Sequence, residues 1–168
     1  MNYVDTSTLD IVGKFLKDNQ LKVFVGESMT GGFLGSVLSM QADSGHYFLG
    51  GIIGYATSVK QSLLHVDDHS IAHFTAESSE VTFEMLEGLK KLVVADIYIA
   101  ITGMAFPDTS NEHKAEIGDI FIAISFSGIH LQKKLHCIDY DAAQIYITAV
   151  NHVIYELHNF IADNGLDN

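Results

Sequence analysis

The stretch VFVGESMTGG, residues 23–32, predicts a buried strand, a sharp glycine turn and the start of a helix. Val23, Phe24 and Val25 form a short apolar run of strand-forming residues. Gly26 permits a backbone conformation that a side chain would resist. The first N–H groups of the following helix have no partner within it, so they point donors at whatever lies above the turn.

Ser28 lies in this turn, and its hydroxyl has two interpretations. A hydroxyl placed above a helix N-terminus can attack a carbonyl carbon while nearby donors stabilise the oxyanion that develops. Alternatively, the segment is an ordinary strand-to-helix turn with a Ser/Thr cap, which the stretch by itself favours. Both interpretations stay open at this point.

Helical and strand patterns alternate along the rest of the chain and predict an α/β fold. The predicted helices cover residues 5–19, 57–64, 75–93 (beginning at Thr75 or Ser78) and 141–162, and the predicted strands cover residues 48–56, 96–103, 118–127 and 130–138. Residues 66–74 are polar and predict a solvated connection. We therefore predict one domain, residues 1–168, folded as a three-layer α/β/α sandwich with a mixed, mostly parallel sheet.

The composition limits the partners that the chain can take. The 168 residues have a formal net charge of −12 and include no arginine, which argues against nucleic acid and against anionic membranes. No apolar stretch approaches the length needed to span a membrane, and the N-terminus lacks the layout of a signal peptide. The single cysteine, Cys137, lies in a predicted apolar strand and is expected to be buried and inert. We expect a soluble cytoplasmic protein.

The predicted strands end in chemically suggestive residues. In open sheets, ligands bind beyond the carboxyl ends of the strands. Those ends carry Ser28, Tyr55, and the pair Thr102 and Gly103. Lys60 falls in the first turn of the following predicted helix, where the dipole, and burial if it occurs, would lower its pKa. Taken one at a time, each residue also fits an ordinary structural position.

Three histidines, His65, His69 and His73, are spaced by four residues. On one helix they would share a face, as metal-binding histidine pairs do. No HExxH pattern is present, however, and apolar residues interrupt the polar face. A solvated connection is therefore preferred over a metal site.

Three motifs, taken together, carry a family resemblance. GESMTGG (residues 26–32), GGIIGYATSVKQSLLHV (50–66) and ADIYIAITGMAFP (95–107) occur in the order found in the CinA C-terminal family, whose members are nicotinamide mononucleotide amidohydrolases. The chain resembles that family from about residue 15 to about residue 157. The resemblance implies hydrolysis of the nicotinamide carboxamide to ammonia and nicotinate mononucleotide, with no metal or organic cofactor, and it implies a homodimer or higher homo-oligomer.

The resemblance also implies roles for individual residues. Ser28 matches the family's nucleophilic serine, and Tyr55 and Lys60 match the tyrosine and lysine of its active site. Neutral Lys60 would take the serine proton directly or through Tyr55. The residues implied in substrate binding are Glu27, Thr30, Gly31, Gly32, Thr102, Gly103 and Phe106, and backbone N–H groups near Thr30 to Gly32 would hold the oxyanion or the substrate phosphate.

The chain departs from the family pattern in the loop after the third motif. Phe106 replaces a glycine, and Asp108 to Ser110 replace a glycine-rich run. The family also carries arginine in its C-terminal section, which this chain lacks. Arginine suits phosphate, so its loss weakens the case for a mononucleotide, and Lys114 is the one cation left in the loop. The alternative function is therefore a weakly active or inactive paralogue that binds another small ligand or a protein partner.

Overall fold

The computed structural model describes residues 3–107, 114–138 and 141–163. Seven helices and five strands occur in these ranges. The helices are α1 (Thr6–Asp18), α2 (Phe33–Met40), α3 (Ser44–Tyr47), α4 (Thr57–Leu64), α5 (Asp68–Phe74), α6 (Ser79–Leu92) and α7 (Ala142–Asp163). The strands are β1 (Val23–Glu27), β2 (Phe48–Ile53), β3 (Ile97–Gly103), β4 (Asp119–Phe126) and β5 (Ile129–His136).

The strands form one mixed sheet in the order β2-β1-β3-β4-β5. β1 pairs in parallel with β2 and with β3, whereas β4 is antiparallel to both of its neighbours. Four of the five strands therefore run in the same direction, and β4 alone runs against them. The predicted mixed sheet is confirmed. The first strand, β1, lies in the interior of the sheet between β2 and β3.

Helices cover both faces of the sheet. One apolar core joins α1, α2, α3 and α7 to side chains such as Val25, Ile99 and Ile122. The second core joins α4 and α6 to the alternate residues of the same strands, including Phe24 and Ala100. Because successive side chains of a strand point to opposite faces, one apolar strand can supply both cores. The predicted three-layer α/β/α architecture is confirmed.

The start of α2 differs from the prediction. The helix begins at Phe33, after the residues expected to open it. Gly31 and Gly32 have φ values of 57° and 102°, in the left-handed region that glycine adopts without steric cost. The two glycines therefore extend the turn that follows β1, and the helix starts beyond them.

Two other elements also differ from the sequence prediction. Residues 66–74, expected as a polar connection, contain the helix α5, whose N-cap Asp67 accepts a hydrogen bond from the backbone of His69 at 2.7 Å. The helix predicted over residues 5–19 begins one residue later, at Thr6, because Asp5 is its N-cap and accepts from the backbone of Thr8 at 3.1 Å. In both cases an aspartate side chain satisfies the first backbone donors of the helix.

The longest helix, α7, has 22 residues and packs an apolar stripe against the sheet. Its other positions include polar side chains such as Asn151 and His152. Among the residues that the structure describes, no helix combines the length and the apolar character that crossing a membrane requires.

Candidate active site

A cavity of about 250 Å³ opens where β1, β2 and β3 end. These strands are neighbours and run parallel, so their carboxyl ends meet at one edge of the sheet. Ser28 follows β1, Tyr55 lies two residues beyond β2, and Gly103 ends β3. The full lining is Ser28, Met29, Tyr55, Glu77, Gly103, Met104, Ala105, Phe106, Pro107 and Tyr146. The structure thus brings together strand-end residues that the sequence singles out.

Ser28 is held by its backbone at the end of β1. Its N–H donates to the carbonyl of Ile101 on β3 at 3.0 Å, which continues the sheet by one residue. Its side chain lines the cavity, although the residue is only 4% exposed. Within the described part of the chain no protein group hydrogen-bonds the Ser28 hydroxyl. The backbone of Ser28 therefore fixes its position at the cavity wall.

Glu27 binds the N-terminus of α2 with both carboxylate oxygens. Oε2 accepts from the Thr30 hydroxyl at 2.6 Å and from the N–H groups of Gly32 at 3.1 Å and Leu34 at 2.9 Å. Oε1 accepts from the N–H of Gly35 at 2.8 Å. A buried carboxylate at a helix N-terminus satisfies donors that would otherwise lack partners and complements the helix dipole. Glu27 thereby fixes the turn that carries Ser28, and it does not line the cavity.

Two backbone N–H groups of the turn after Ser28 have no acceptor among the described residues. The N–H of Gly31 donates to the carbonyl of Ser28 at 3.1 Å, and that of Gly32 donates to Glu27. No described residue accepts from the N–H groups of Met29 and Thr30. Of the backbone donors expected at Thr30, Gly31 and Gly32, only the N–H of Thr30 lacks an acceptor among the described residues. The N–H of Met29, which was not expected, also lacks one.

Lys60 is buried on α4 beside the end of β1. The residue is 1% exposed. Its side-chain stem packs against Gly54, where an added Cβ would lie 3.4 Å from Lys60 Cγ. Gly54 in turn is bonded to the end of β1, because its N–H donates to the carbonyl of Glu27 at 2.7 Å. Lys60 Nζ donates to the backbone carbonyl of Tyr55 at 3.4 Å, a long hydrogen bond. No hydrogen bond joins it to Ser28 among the described residues. The amine therefore contacts the backbone of Tyr55, and Lys60 is not among the described residues that line the cavity.

Burial lowers the pKa of Lys60, and the nearby Glu77 carboxylate partly opposes that shift. Burial penalises the charged ammonium because it removes the water that solvates it. The sequence predicts this direction for Lys60, and the structure assigns it to desolvation. A lysine with a lowered pKa is more often neutral near physiological pH, and only the neutral amine can accept a proton.

Aromatic side chains form much of the cavity wall. Tyr55 is 58% exposed and Phe106 is 54% exposed, so both present ring surface to the opening. Tyr146 of α7 joins them, and burial, together with the neighbouring Tyr55, raises its pKa. Phe106, which the sequence marks as a departure, therefore lines the cavity. Asp108, Thr109 and Ser110 lie outside the described residues.

The end of β3 has a structural role at Thr102 and a close contact at Gly103. The hydroxyls of Thr102 and Thr82 lie 2.7 Å apart. Because the Thr82 hydroxyl already donates its hydrogen to the carbonyl of Ser78 at 2.6 Å, Thr102 is the donor in this pair. A Cβ at Gly103 would lie 2.4 Å from Met29 Sδ. Glycine therefore lets β3 approach the Ser28 turn, whereas Thr102 is fully buried and faces α6.

The sequence predictions missed the side chains that other elements bring to the cavity, chiefly Glu77 and Tyr146. Glu77 directly precedes Ser78, the N-cap of α6, whose side chain accepts from the backbone of Val81. The cap was predictable, but the position of α6 against β3 was not. Tyr146 comes from the first turns of α7, far along the chain.

The histidine cluster is divided between two elements. His65 ends α4 in a left-handed conformation, with φ of 55°, while His69 and His73 lie on α5. No group of His, Cys, Asp or Glu within residues 3–107, 114–138 and 141–163 has an arrangement that could hold a metal ion. The three side chains thus do not form the common helical face that their spacing suggests.

Comparisons with known proteins agree on one family. The sequence model of the CinA C-terminal domain matches residues 5–161. A CinA-like protein of Thermotoga neapolitana is 36% identical over 118 residues, and one of Crocosphaera subtropica is 39% identical over 122 residues. The matches cover 70% and 72% of this chain but 29% of each relative, so the chain spans less than a third of their length.

Solved structures show the same fold. The crystal structure of the competence damage-inducible protein A (ComA) of Klebsiella pneumoniae is 26% identical, with a TM-score of 0.87 and coverage of 93% of this chain and 96% of that one. A CinA superfamily protein of Escherichia coli is also 26% identical, with a TM-score of 0.83 and coverage of 94% and 92%. The sheet and its flanking helices are thus shared across nearly the whole described chain.

Proposed function

The chain belongs to the CinA C-terminal domain family, and from that premise we propose that it is a serine-dependent amidohydrolase acting on nicotinamide mononucleotide or a related pyridine carboxamide. The observation that carries the proposal is the cavity at the strand ends, where Ser28 and Tyr55 share one wall with Lys60 buried close by. These residues match the family's serine, tyrosine and lysine.

In the proposed reaction the Ser28 hydroxyl attacks the carboxamide carbon and gives its proton to neutral Lys60, directly or through the Tyr55 phenol. Burial lowers the pKa of Lys60, which supports its role as the base. Its hydrogen bond to the Tyr55 carbonyl is long, 3.4 Å, so turning the terminal amine toward Ser28 gives up little. The step therefore requires the lysine side chain to leave the Tyr55 carbonyl and turn toward Ser28.

The N–H groups of Met29 and Thr30 are the proposed donors to the tetrahedral oxyanion. Such preorganised donors contribute the larger part of catalysis in many acyl-transfer sites. Collapse of the tetrahedral intermediate breaks the carbon–nitrogen bond, and the proton held by Lys60 passes to the departing ammonia. Water then attacks the Ser28 ester while Lys60 takes its proton, the carbon–oxygen bond to Ser28 breaks, and Lys60 returns the proton to the Ser28 oxygen. The carboxylic acid that is released ionises, and its proton passes to ammonia. The net reaction converts a carboxamide and water into a carboxylate and ammonium.

Ammonia release from nicotinamide mononucleotide tests the proposal. Wild-type protein should release ammonia and form nicotinate mononucleotide, and Ser28→Ala should lower the rate by at least about a thousandfold, as loss of a nucleophile does. Ser62→Ala on the exposed face of α4 is the matched control and should retain the wild-type rate. Equal rates for wild type and Ser28→Ala would refute the assignment of the nucleophile.

A second candidate function is a paralogue that binds a different ligand or a protein partner. It is favoured by one observation: no cationic side chain is present among the described residues that line the cavity. Thermal-shift measurements with pyridine nucleotides and simple carboxamides separate the two. Stabilisation without ammonia release supports binding alone, and release that depends on Ser28 supports the hydrolase. A homodimer remains a prediction from the family, which light scattering of the purified protein tests.

A further inference from the structure

The connection between α5 and α6 contains a strained residue, Thr75. Its φ of 73° and ψ of 163° fall in a region that is almost restricted to glycine, and a β-branched side chain makes this conformation costlier. The other non-glycine residues with positive φ, Gln20, His65 and Ser127, have φ values between 50° and 58°. Strain of this kind persists only where surrounding contacts hold it, so Thr75 marks a constraint on this connection.

Contacts on both sides hold Thr75 in its conformation. Its N–H donates to the carbonyl of Ile71 at 2.9 Å, at the end of α5. Its carbonyl accepts from the hydroxyl of Ser78, the N-cap of α6, at 3.1 Å. The hydroxyl of Thr75 itself is buried and has no hydrogen-bond partner among the described residues, which is a second unfavourable feature of the folded arrangement. Both costs are relieved when the bond to Ile71 breaks and Thr75 can rotate.

The helix α5 contributes little to the apolar core. None of its seven residues is buried, and Ile71 is the one that packs partly buried against the second core. In contrast, Val66 before the helix and Ala76 after it are both buried. Segments with few buried apolar contacts open locally at a lower free energy than the domain as a whole. The segment between Val66 and Ala76 therefore has the properties of a locally opening unit.

Hydrogen bonds attach α5 to its neighbours. On α6, the Glu84 carboxylate accepts from the N–H of Asp67 at 2.8 Å with one oxygen and from the hydroxyl of Ser70 with the other. At the opposite end of α5, Lys114 donates to the carbonyl of His73. Water can replace such contacts when the helix separates, so each bond contributes only modestly to holding α5 in place.

We propose that α5 is a flap that opens about Thr75 while the sheet and α6 remain folded. Opening lets Thr75 leave its strained conformation, which offsets part of the cost of losing the Glu84 hydrogen bonds. The flap adjoins the cavity, because Glu77, two residues beyond Thr75, is part of the cavity wall. The proposal goes beyond the amidohydrolase function, and the opening needs neither a ligand nor turnover.

Hydrogen exchange resolved by NMR tests the opening in the wild-type protein. After correction for intrinsic rates, the amides of residues 72–74 in α5 should exchange at least about 100-fold faster than those of residues 86–89 in α6. Equal protection in the two helices would overturn the proposal, because α5 would then open only when the whole domain unfolds.

Thr75→Gly tests the hinge, because glycine adopts this conformation without strain. Exchange at residues 72–74, whose intrinsic rates do not depend on residue 75, should slow by at least about threefold. Ser127→Gly is the matched control, since Ser127 also has a positive φ, 50°, but lies in the turn between β4 and β5. It should leave these rates unchanged. Exchange that Thr75→Gly does not slow, or that Ser127→Gly slows equally, would overturn the proposal.

Glu84→Ala tests the attachment of α5, because it removes the acceptors of both Asp67 and Ser70. Exchange at residues 72–74 should become at least about threefold faster. Glu87→Ala is the matched control: it removes a carboxylate from the same helix, where Glu87 pairs with Lys90 instead of α5. That variant should retain the wild-type rates in α5. Equal rates in the Glu84→Ala and Glu87→Ala variants would contradict the proposed flap.

Discussion

Replacing Glu27 with glutamine tests whether this carboxylate holds the turn that carries Ser28. Its two oxygens accept four hydrogen bonds, three at Oε2 and one at Oε1. In its better orientation a glutamine amide keeps the three bonds at one oxygen and turns its NH2 group toward the N–H of Gly35. A buried donor would then face another donor, which costs about 1 to 3 kcal/mol.

The substitution also removes a negative charge from the N-terminus of α2. An interaction of this kind contributes about 0.3 to 1 kcal/mol at exposed sites and about 2 kcal/mol in buried geometries. Glu27 is 2% exposed, so the upper value applies. The two effects together predict a loss of about 3 to 5 kcal/mol in the free energy of unfolding. For a chain of this length that loss corresponds to a melting temperature lower by about 6 to 20 °C.

Denaturant titration followed by circular dichroism measures the loss directly. Glu80→Gln, which removes an exposed carboxylate from the first turn of α6, should change the free energy by less than about 0.5 kcal/mol. Glu27→Gln should also lower the rate of ammonia release, because the Ser28 turn loses its anchor. A Glu27→Gln variant as stable as the Glu80→Gln control would show that the four hydrogen bonds do not hold the turn.

Three further predictions concern packing and charge around the site. Lys60→Met should be more stable than wild type at neutral pH. Because burial lowers the folded-state pKa of Lys60, the stability of the wild type rises with pH by up to about 1.4 kcal/mol per pH unit until the unfolded pKa near 10.5 is passed. Denaturant titrations at several pH values should therefore show the advantage of the variant shrinking as the pH rises. Gly88→Ala should destabilise by at least about 1 to 3 kcal/mol, because its Cβ would lie 2.1 Å from the carbonyl oxygen of Leu64; an unchanged denaturation midpoint would contradict the close packing of α6 on α4. Thr82→Val should cost about 1 to 3 kcal/mol by leaving the buried Thr102 donor unpaired, and adding Thr102→Val should recover part of that loss in a double-mutant cycle.

The sequence predicted the parts of the site that depend on local order. A strand, a glycine turn and a helix place Ser28 at the sheet edge, and parallel pairing of β1 with β2 brings Tyr55 to the same edge. The short helix after Tyr55 places Lys60, whose lowered pKa follows from burial. These inferences need only strand direction and helix periodicity, which the order of residues contains.

Side-chain direction explains why other candidates were harder to assign. Thr102 and Gly103 are adjacent at the end of β3, yet successive residues of a strand face opposite sides. Gly103 therefore lines the cavity while Thr102 faces α6 and bonds to Thr82. Glu77 was missed because its place depends on how α6 packs against the sheet, a contact between elements that no local pattern encodes.

The orientation of Glu27 determines which anions the turn can stabilise. A helix N-terminus next to a nucleophile ordinarily offers several donors and a positive dipole to an anionic substrate group. Here the Glu27 carboxylate occupies the N–H groups of residues 32, 34 and 35, and its charge offsets the dipole before any ligand arrives. The two N–H groups of Met29 and Thr30, which follow Ser28 in the chain, have no acceptor among the described residues. That number suits an oxyanion formed transiently on the attacked carbon, whereas a permanent phosphate dianion needs more donors and a cation to compensate its charge. Under the proposed function, the carboxylate that fixes the Ser28 turn therefore also favours stabilisation of an oxyanion over binding of a phosphate at the start of α2.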